Sequence, residues 1–159
     1  MSNGLIITIL AIGGVMAITV VVSVVAMRRF GGQAEERADD LRDEVDRLGE
    51  EWVIPLEPAS YRGAAHTYGR VKGNGVAGLT GRRVVFEPLI GKGFSVPLAR
   101  VTGVRTTRWF LGAARASGRH LVLTLDDDNE VGFIVHDQER WLTALGGLGV
   151  SATATDPDG

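Results

Sequence analysis

The chain has 159 residues, no cysteine and a formal net charge of −2 at pH 7. This length accommodates one domain of ordinary size with short accessory segments. The absence of cysteine excludes disulfides, cysteine nucleophiles and metal sites built from cysteine. Arginine outnumbers lysine by fifteen to two, and Ala, Gly and Val are abundant, which indicates a bacterium with a GC-rich genome.

The first segment of the chain is an uninterrupted apolar run. Residues 5–27 carry no charge, and their only polar side chains are Thr8, Thr19 and Ser23. A helix of this length is about 34 Å long, enough to cross a hydrocarbon core of about 30 Å. The run is too long for a secretory signal peptide, and no basic residue precedes it. The sequence therefore predicts an uncleaved transmembrane helix over 5–27.

The charges that flank this run predict its orientation. No Lys or Arg precedes Leu5, whereas four arginines follow Met27 within about 15 residues, the distance over which the positive-inside rule counts charge. They are Arg28, Arg29, Arg37 and Arg42. We therefore expect a single-pass protein of the cell membrane, with its N-terminus outside and its C-terminal domain in the cytoplasm.

A charged linker over 28–50 follows, and its apolar residues recur at helical spacing. They form a narrow seam made of Ala34, Ala38, Leu41, Val45 and Leu48. One interpretation is a short coiled coil that joins two copies as a weak homodimer through 34–48. The other is a spacer helix whose seam lies on its own domain.

From Trp52 onward, short β-branched runs alternate with glycine. Asn74-Gly75 is typical of a type I′ hairpin turn, and the sequence DDDN over 126–129 predicts a second hairpin. Asp137 suits the start of a final helix that carries Trp141. The pattern predicts a mainly-β domain over 51–149, a small barrel or sandwich closed by a C-terminal helix. A disordered tail is expected over 150–159.

No motif in the chain predicts chemistry. Residues 73–78 match G-x-G-x-x-G, but a second glycine turn and a β-branched run follow them where a dinucleotide site needs a helix. The three histidines lack metal-ligand spacing, and the sequence DDDN lacks the glycine and glutamate of a calcium loop. We therefore expect no catalytic residue, no cofactor, no metal and no enzyme activity.

Three segments of the chain resemble the GRAM and bacterial pleckstrin-homology-like domains. They are GVAGLTGRRVVFEPLIGKGFSVPLARVTGV (75–104), HLVLTLDDDNEVGFIV (120–135) and HDQERWLTAL (136–145). The matching positions are Leu79, Thr80, Arg82, Arg83, Phe86, Val96, Pro97, Leu98, Val101, Val104 and Trp141. The resemblance spans roughly Glu51 to Gly149. It implies two nearly orthogonal β-sheets that form a barrel closed by the C-terminal helix. The leading apolar run gives the layout of small actinobacterial single-pass membrane proteins.

Most of the matching apolar residues have a simple structural interpretation. We expect Leu79, Phe86, Leu98 and Val101 in the core. Trp141 should plug one end of the barrel, because it combines a large apolar surface with one hydrogen-bond donor at its rim.

Charge is segregated along the domain. Residues 60–120 hold eleven Lys and Arg and one acid, Glu87, whereas residues 121–159 hold eight acids and one base, Arg140. Two interpretations remain open: a basic face that contacts a partner, or internal pairing of basic strands with the acidic hairpin and helix. The candidate contact residues are Arg70, Lys72, Arg105, Arg108, Arg115 and Arg119.

These observations predict a non-enzymatic, membrane-anchored adaptor on the cytoplasmic face that recognises a protein or anionic lipid. The alternative is a structural accessory subunit of a larger membrane or transport complex, recruited through the transmembrane and linker helices. Nucleic acid is not expected as a partner, because the chain lacks an interleaved aromatic–basic motif.

Overall fold

The structure is a computed structural model that describes residues 35–69, 71–114 and 119–152. The chain divides into two compact units, Met1–Glu36 and Arg37–Gly159, and nearly all described residues belong to the second. The predicted transmembrane helix over 5–27 and most of the predicted tail lie outside the described residues.

The described chain is mainly β, with a helix near each of its ends. Helix α1 covers residues 35–47. The strands are β1 (Trp52–Ala64), β2 (Gly73–Thr80), β3 (Arg83–Pro88), β4 (Phe94–Pro97), β5 (Val101–Thr107), β6 (Trp109–Phe110), β7 (Ala113–Ala114), β8 (His120–Leu125), β9 (Glu130–Ile134) and β10 (Ser151–Ala152), with helix α2 (Gln138–Gly147) between the last two.

Eight strands form one sheet in the order β10-β5-β8-β9-β1-β2-β3-β4. Strand β1 joins its halves, because residues Trp52–Tyr61 pair with β2 and residues Ser60–Ala64 pair with β9. Register shifts along β1 mark the irregularities that let one strand serve both partners. Strands β6 and β7 form a separate two-stranded sheet.

The predicted barrel is wrong, because the eight-stranded sheet is open. Strand β4 pairs only with β3 at one edge, and β10 pairs only with β5 at the other. Strand β4 has four residues and ends at Pro97, which has no N–H with which to extend a ladder. The two edges therefore do not join, and the predicted pleckstrin-homology-like two-sheet barrel does not describe this chain.

The predicted membrane topology is also corrected. Among the residues that the structure describes, none of the helices has the length and apolar character that crossing a membrane requires. Helix α1, the first described element, is mostly exposed, with Ala38 and Val45 as its buried side chains. This finding does not support the predicted fold class with its transmembrane helix or the predicted single-pass location in the cell membrane, and the run over 5–27 itself lies outside the described residues.

Local predictions fared unevenly. The predicted hairpin between β8 and β9 is present, and Asp128 takes a positive φ of 58° in its turn. The predicted turn at Asn74-Gly75 is wrong, because both residues lie inside β2, where they pair with Ser60 and Ala59. The β1–β2 connection lies earlier, over residues 65–72.

One face of the sheet, here called the inner face, carries the main core. Leu79, Phe86, Val101 and Trp141 are buried in it, and Leu98 packs against it while partly exposed. Four aromatic rings, those of Tyr61, Phe86, Phe94 and Phe133, lie within contact distance of one another. Burial raises the pKa of the Tyr61 hydroxyl to about 12, and nearby Tyr68 adds to the rise.

Helix α2 closes one end of this core. Asp137 caps it by accepting a hydrogen bond from the backbone N–H of Arg140 at 3.0 Å, as its position predicted. Trp141 and Leu145 are the buried residues of the helix. The indole Nε1–H of Trp141 donates to the Glu57 carboxylate at 2.8 Å, so the buried ring keeps its one polar atom satisfied.

Helix α1 lies against the opposite, outer face at β3. Arg83 of β3 forms an ion pair with Glu44 of α1 at 2.9 Å, and Arg37 donates to the carbonyl of Gly91 at 3.0 Å. Ala38 and Val45, two residues of the predicted seam, are buried here within one chain. The burial of these two residues agrees with the interpretation that this part of the seam lies on its own domain, whereas Leu48 of the seam is 51% exposed. The homodimer through 34–48 stays a prediction.

Candidate binding surfaces

The six predicted contact residues do not form one surface in the structure. Arg105 is engaged internally, because its guanidinium donates to Glu130 at 2.8 Å. Lys72 is exposed in the β1–β2 loop, and Arg108 is exposed between β5 and β6. Arg119 is half-buried beside a cleft on the outer face. Arg70 and Arg115 lie outside the described residues.

Internal pairing accounts for part of the charge segregation. Besides Arg105, Arg100 contacts the β8–β9 turn, with Nη2 at 2.9 Å from Asp126 and 2.7 Å from Asp127. The hydrogen bond from Arg100 holds the pKa of Asp127 below its usual range. These exposed pairs contribute modestly to stability, since solvent screens them. They neutralise much of the acidic turn at this end of the sheet.

A second group of residues forms a surface that we call the lysine tip. It lies at the end of the sheet that carries the β1–β2 and β3–β4 loops. Val71 is 86% exposed and Ile90 is 75% exposed, the two highest values among the large hydrophobic side chains of the described residues. Lys72 and Lys92, the only lysines in the chain, lie within two residues of them. The tip consists of Val71, Lys72, Leu89, Ile90 and Lys92.

The backbone brings the two loops of the lysine tip together. The N–H of Leu89 donates to the carbonyl of Asn74 at 2.9 Å, which joins the β3–β4 loop to the start of β2. Gly75 lies so close to β3 that an added Cβ would be 2.1 Å from the carbonyl oxygen of Glu87. Gly91 takes a φ of 107°, which favours glycine, and its carbonyl accepts from Arg37.

A cleft lies on the outer face of the sheet, and we call it the outer cleft. Its volume is about 1400 Å³, and strands β1 and β2, the end of β9 and the start of α2 line it. Val76, Leu89 and Ile134 supply apolar lining. The lining carboxylates are Glu57, Asp137 and Glu139, and the lining basic groups are Arg119 and His136.

Strands β6 and β7 form a small projection that we call the tryptophan hairpin, residues 108–114. Its turn places Leu111 at φ 46° and Gly112 at φ 75°, and a non-glycine residue there costs on the order of 1–3 kcal/mol. Phe110 is buried, and an added Cβ at Gly132 would be 2.2 Å from its ring. Trp109 is 55% exposed and Leu111 is 41% exposed. The buried ring thus seats a hairpin that presents two apolar side chains to solvent.

Sequence reasoning found Lys72 and Arg108 but missed the apolar members of both surfaces. In sequence, Val71, Leu89 and Ile90 end short apolar runs typical of strands, whereas the structure places them in the β1–β2 and β3–β4 loops. That Phe110 faces inward while Trp109 faces outward follows from the hairpin, which a two-residue strand does not reveal in sequence.

The chain matches no protein-family model. It matches no curated protein. Among solved structures, it is similar to the crystal structure of the C-terminal domain of an unknown protein from Leishmania infantum, with 12% sequence identity and a TM-score of 0.48. That match covers 69% of this chain and 94% of that chain. A similarity at this level does not assign a family, so the resemblance to GRAM and pleckstrin-homology-like domains stays a prediction.

Proposed function

We propose that this chain is a binding module that docks onto an anionic lipid surface through the lysine tip. The observation that supports the proposal is that the two most exposed large aliphatic side chains of the described residues lie beside both lysines of the chain. Aliphatic groups enter the boundary between headgroups and acyl chains, while lysines reach the anionic headgroups with flexible apolar stems.

The composition of the tip favours lipid over protein as the partner. Protein interfaces are enriched in aromatic residues and arginine and depleted in lysine, whereas the tip contains aliphatic residues and lysine. Each lysine near an anionic surface contributes about 1 kcal/mol. Full burial of a Val or Ile side chain contributes about 1.5–3 kcal/mol. These contributions are large enough together to give reversible binding without any catalytic group.

Vesicle binding by the full chain tests the proposal. The double variant Lys72→Ser/Lys92→Ser should bind vesicles that contain phosphatidylserine about thirtyfold more weakly, from about 2 kcal/mol of lost attraction. The double variant Val71→Ser/Ile90→Ser should lose at least about tenfold, as expected when two aliphatic side chains no longer insert. Binding should weaken with salt, because the Debye length falls from about 10 Å at 0.1 M to about 3 Å at 1 M.

The matched control is Val53→Ser/Arg82→Ser. Both residues are exposed, and they lie at the opposite end of strands β1–β3, where Trp52 pairs with Thr80. This variant should bind as the unchanged chain does. Any contribution of the apolar run over 5–27 is common to all variants and cancels in the comparison. Equal binding to phosphatidylserine and to phosphatidylcholine vesicles, or equal losses in the tip and control variants, would contradict the proposal.

A further inference from the structure

The tryptophan hairpin has the composition of a protein-binding element. It presents Trp109 and Leu111 to solvent next to the exposed Arg108, and Trp and Arg are the residue types most enriched at binding hot spots. The hydroxyl of Thr107 accepts from the N–H of Trp109 at 3.2 Å and donates to its carbonyl at 3.1 Å. The hairpin is therefore held in place before a partner binds, which lowers the entropy cost of binding.

The outer cleft is complementary to this hairpin. Val76, Leu89 and Ile134 offer apolar surface to Trp109 and Leu111. Glu139 is exposed at the cleft, and it belongs to the first turn of α2. Glu57 accepts a hydrogen bond from Trp141, and Asp137 caps α2. Glu139 is the third carboxylate of the cleft lining. The positive charge of Arg108 is complementary to the negative charge of Glu139.

The hairpin and the cleft lie side by side on the same face of the sheet. Phe110 of the hairpin covers Gly132 of β9, and Ile134, two residues further along β9, lines the cleft. Residues two apart on a strand point to the same face. A projection beside a matching cleft is self-complementary, since a two-fold axis between them brings each hairpin to the cleft of the other copy.

We propose that two copies of this chain form a closed two-fold dimer in which each tryptophan hairpin enters the outer cleft of the other copy. Arg108 then faces Glu139 of the second copy, with Arg119 and His136 as the basic groups of the same cleft. The proposed interface contains no residue of α1. It shares one residue with the lysine tip, Leu89, which also lines the cleft. It does not depend on lipid binding.

Sedimentation of the full chain without vesicles tests the dimer. Trp109→Ser should raise the dimer dissociation constant about thirtyfold, the loss typical of a hot-spot residue. It should leave the melting temperature unchanged at concentrations where the chain is monomeric, because the side chain is exposed. Arg108→Glu should weaken the dimer, and adding Glu139→Arg should restore it. Restoration by the second charge change would not follow from a purely structural role of either residue.

Cross-linking locates the contact, because the chain has no cysteine of its own. A Leu111→Cys chain mixed with a His136→Cys chain should form an intermolecular disulfide on mild oxidation. The control mixture of Leu111→Cys with Val53→Cys, whose exposed position lies outside the cleft, should not. A monomer at every concentration would overturn the proposal, and so would a dimer that Trp109→Ser leaves intact or that gives equal cross-linking in both mixtures.

Discussion

Trp141→Ala is expected to lower the free energy of unfolding by about 3–5 kcal/mol, the usual cost of truncating a large core aromatic. Trp141 is 1% exposed and is the largest fully buried side chain of the described residues. Its removal leaves a cavity beneath α2 and takes away the indole donor of Glu57. Against a total stability of about 5–15 kcal/mol, the variant should be marginal. Urea unfolding followed by far-UV circular dichroism measures the change.

Two further substitutions make this experiment specific. Trp109→Ala removes the same side chain at a 55% exposed position and should cost about 0.5 kcal/mol or less in the free energy of unfolding of the monomer. Trp141→Phe keeps an aromatic ring but loses the hydrogen bond, so its cost should lie between those of the two alanine variants. A cost below about 1 kcal/mol for Trp141→Ala, within the range of surface changes, would show that α2 does not close the core.

Gly75→Ala is expected to cost about 3 kcal/mol, at the upper end of what overpacking usually costs. The new Cβ would lie 2.1 Å from the carbonyl oxygen of Glu87 and 2.7 Å from the Cα of Pro88. Both are backbone atoms, so β2 and β3 would have to separate where they pair. Chemical denaturation of the variant measures the loss.

Gly73→Ala is the matched control for this change. Gly73 lies two residues away on the same strand, and an added Cβ there meets nothing within 4 Å. Where the backbone is compatible, Gly→Ala stabilises by about 0.4–1 kcal/mol through the unfolded chain. The two substitutions should therefore differ in sign. Equal effects would mean that the close approach of β2 to β3 at Gly75 is not as described.

The elements that the sequence predicted are those whose signals are local. Asp137 predicted the start of α2, and in the structure its side chain accepts a hydrogen bond from the N–H of Arg140 at that position. The β8–β9 hairpin follows from apolar runs on either side of a polar turn. These features depend on residues only a few positions apart, so periodicity and capping suffice to find them.

Glycines led to a wrong turn prediction, because in this chain they serve close packing as well as turns. Gly75 lies inside β2 where β3 approaches, which is why Asn74-Gly75 is no hairpin turn. Gly78 lies under the ring of Trp52, and Gly132 under the ring of Phe110. A glycine that admits a ring from a distant strand looks the same in sequence as one that turns the chain.

Sheet closure and the binding surfaces depend on pairing that local sequence does not specify. Whether β4 joins another strand or remains an edge is decided by the path of the whole sheet, so the barrel was predicted wrongly. Arg100 and Arg105 are paired with acids at least 25 residues away. Counting charge along the chain showed the segregation but not which arginines remain available. The lysine tip likewise appears only once the β1–β2 and β3–β4 loops are placed together.

Fluorescence at single positions shows whether the lysine tip contacts an anionic bilayer. The chain contains no cysteine, so Ile90→Cys and Val53→Cys each carry one environment-sensitive fluorophore, at the tip and at the opposite end of the sheet. With phosphatidylserine vesicles, we expect the probe at position 90 to shift to the blue and brighten as it enters the bilayer, while the probe at position 53 stays unchanged. An unshifted probe at position 90 in the presence of bound vesicles, or equal shifts at both positions, would show that the lysine tip does not enter the bilayer.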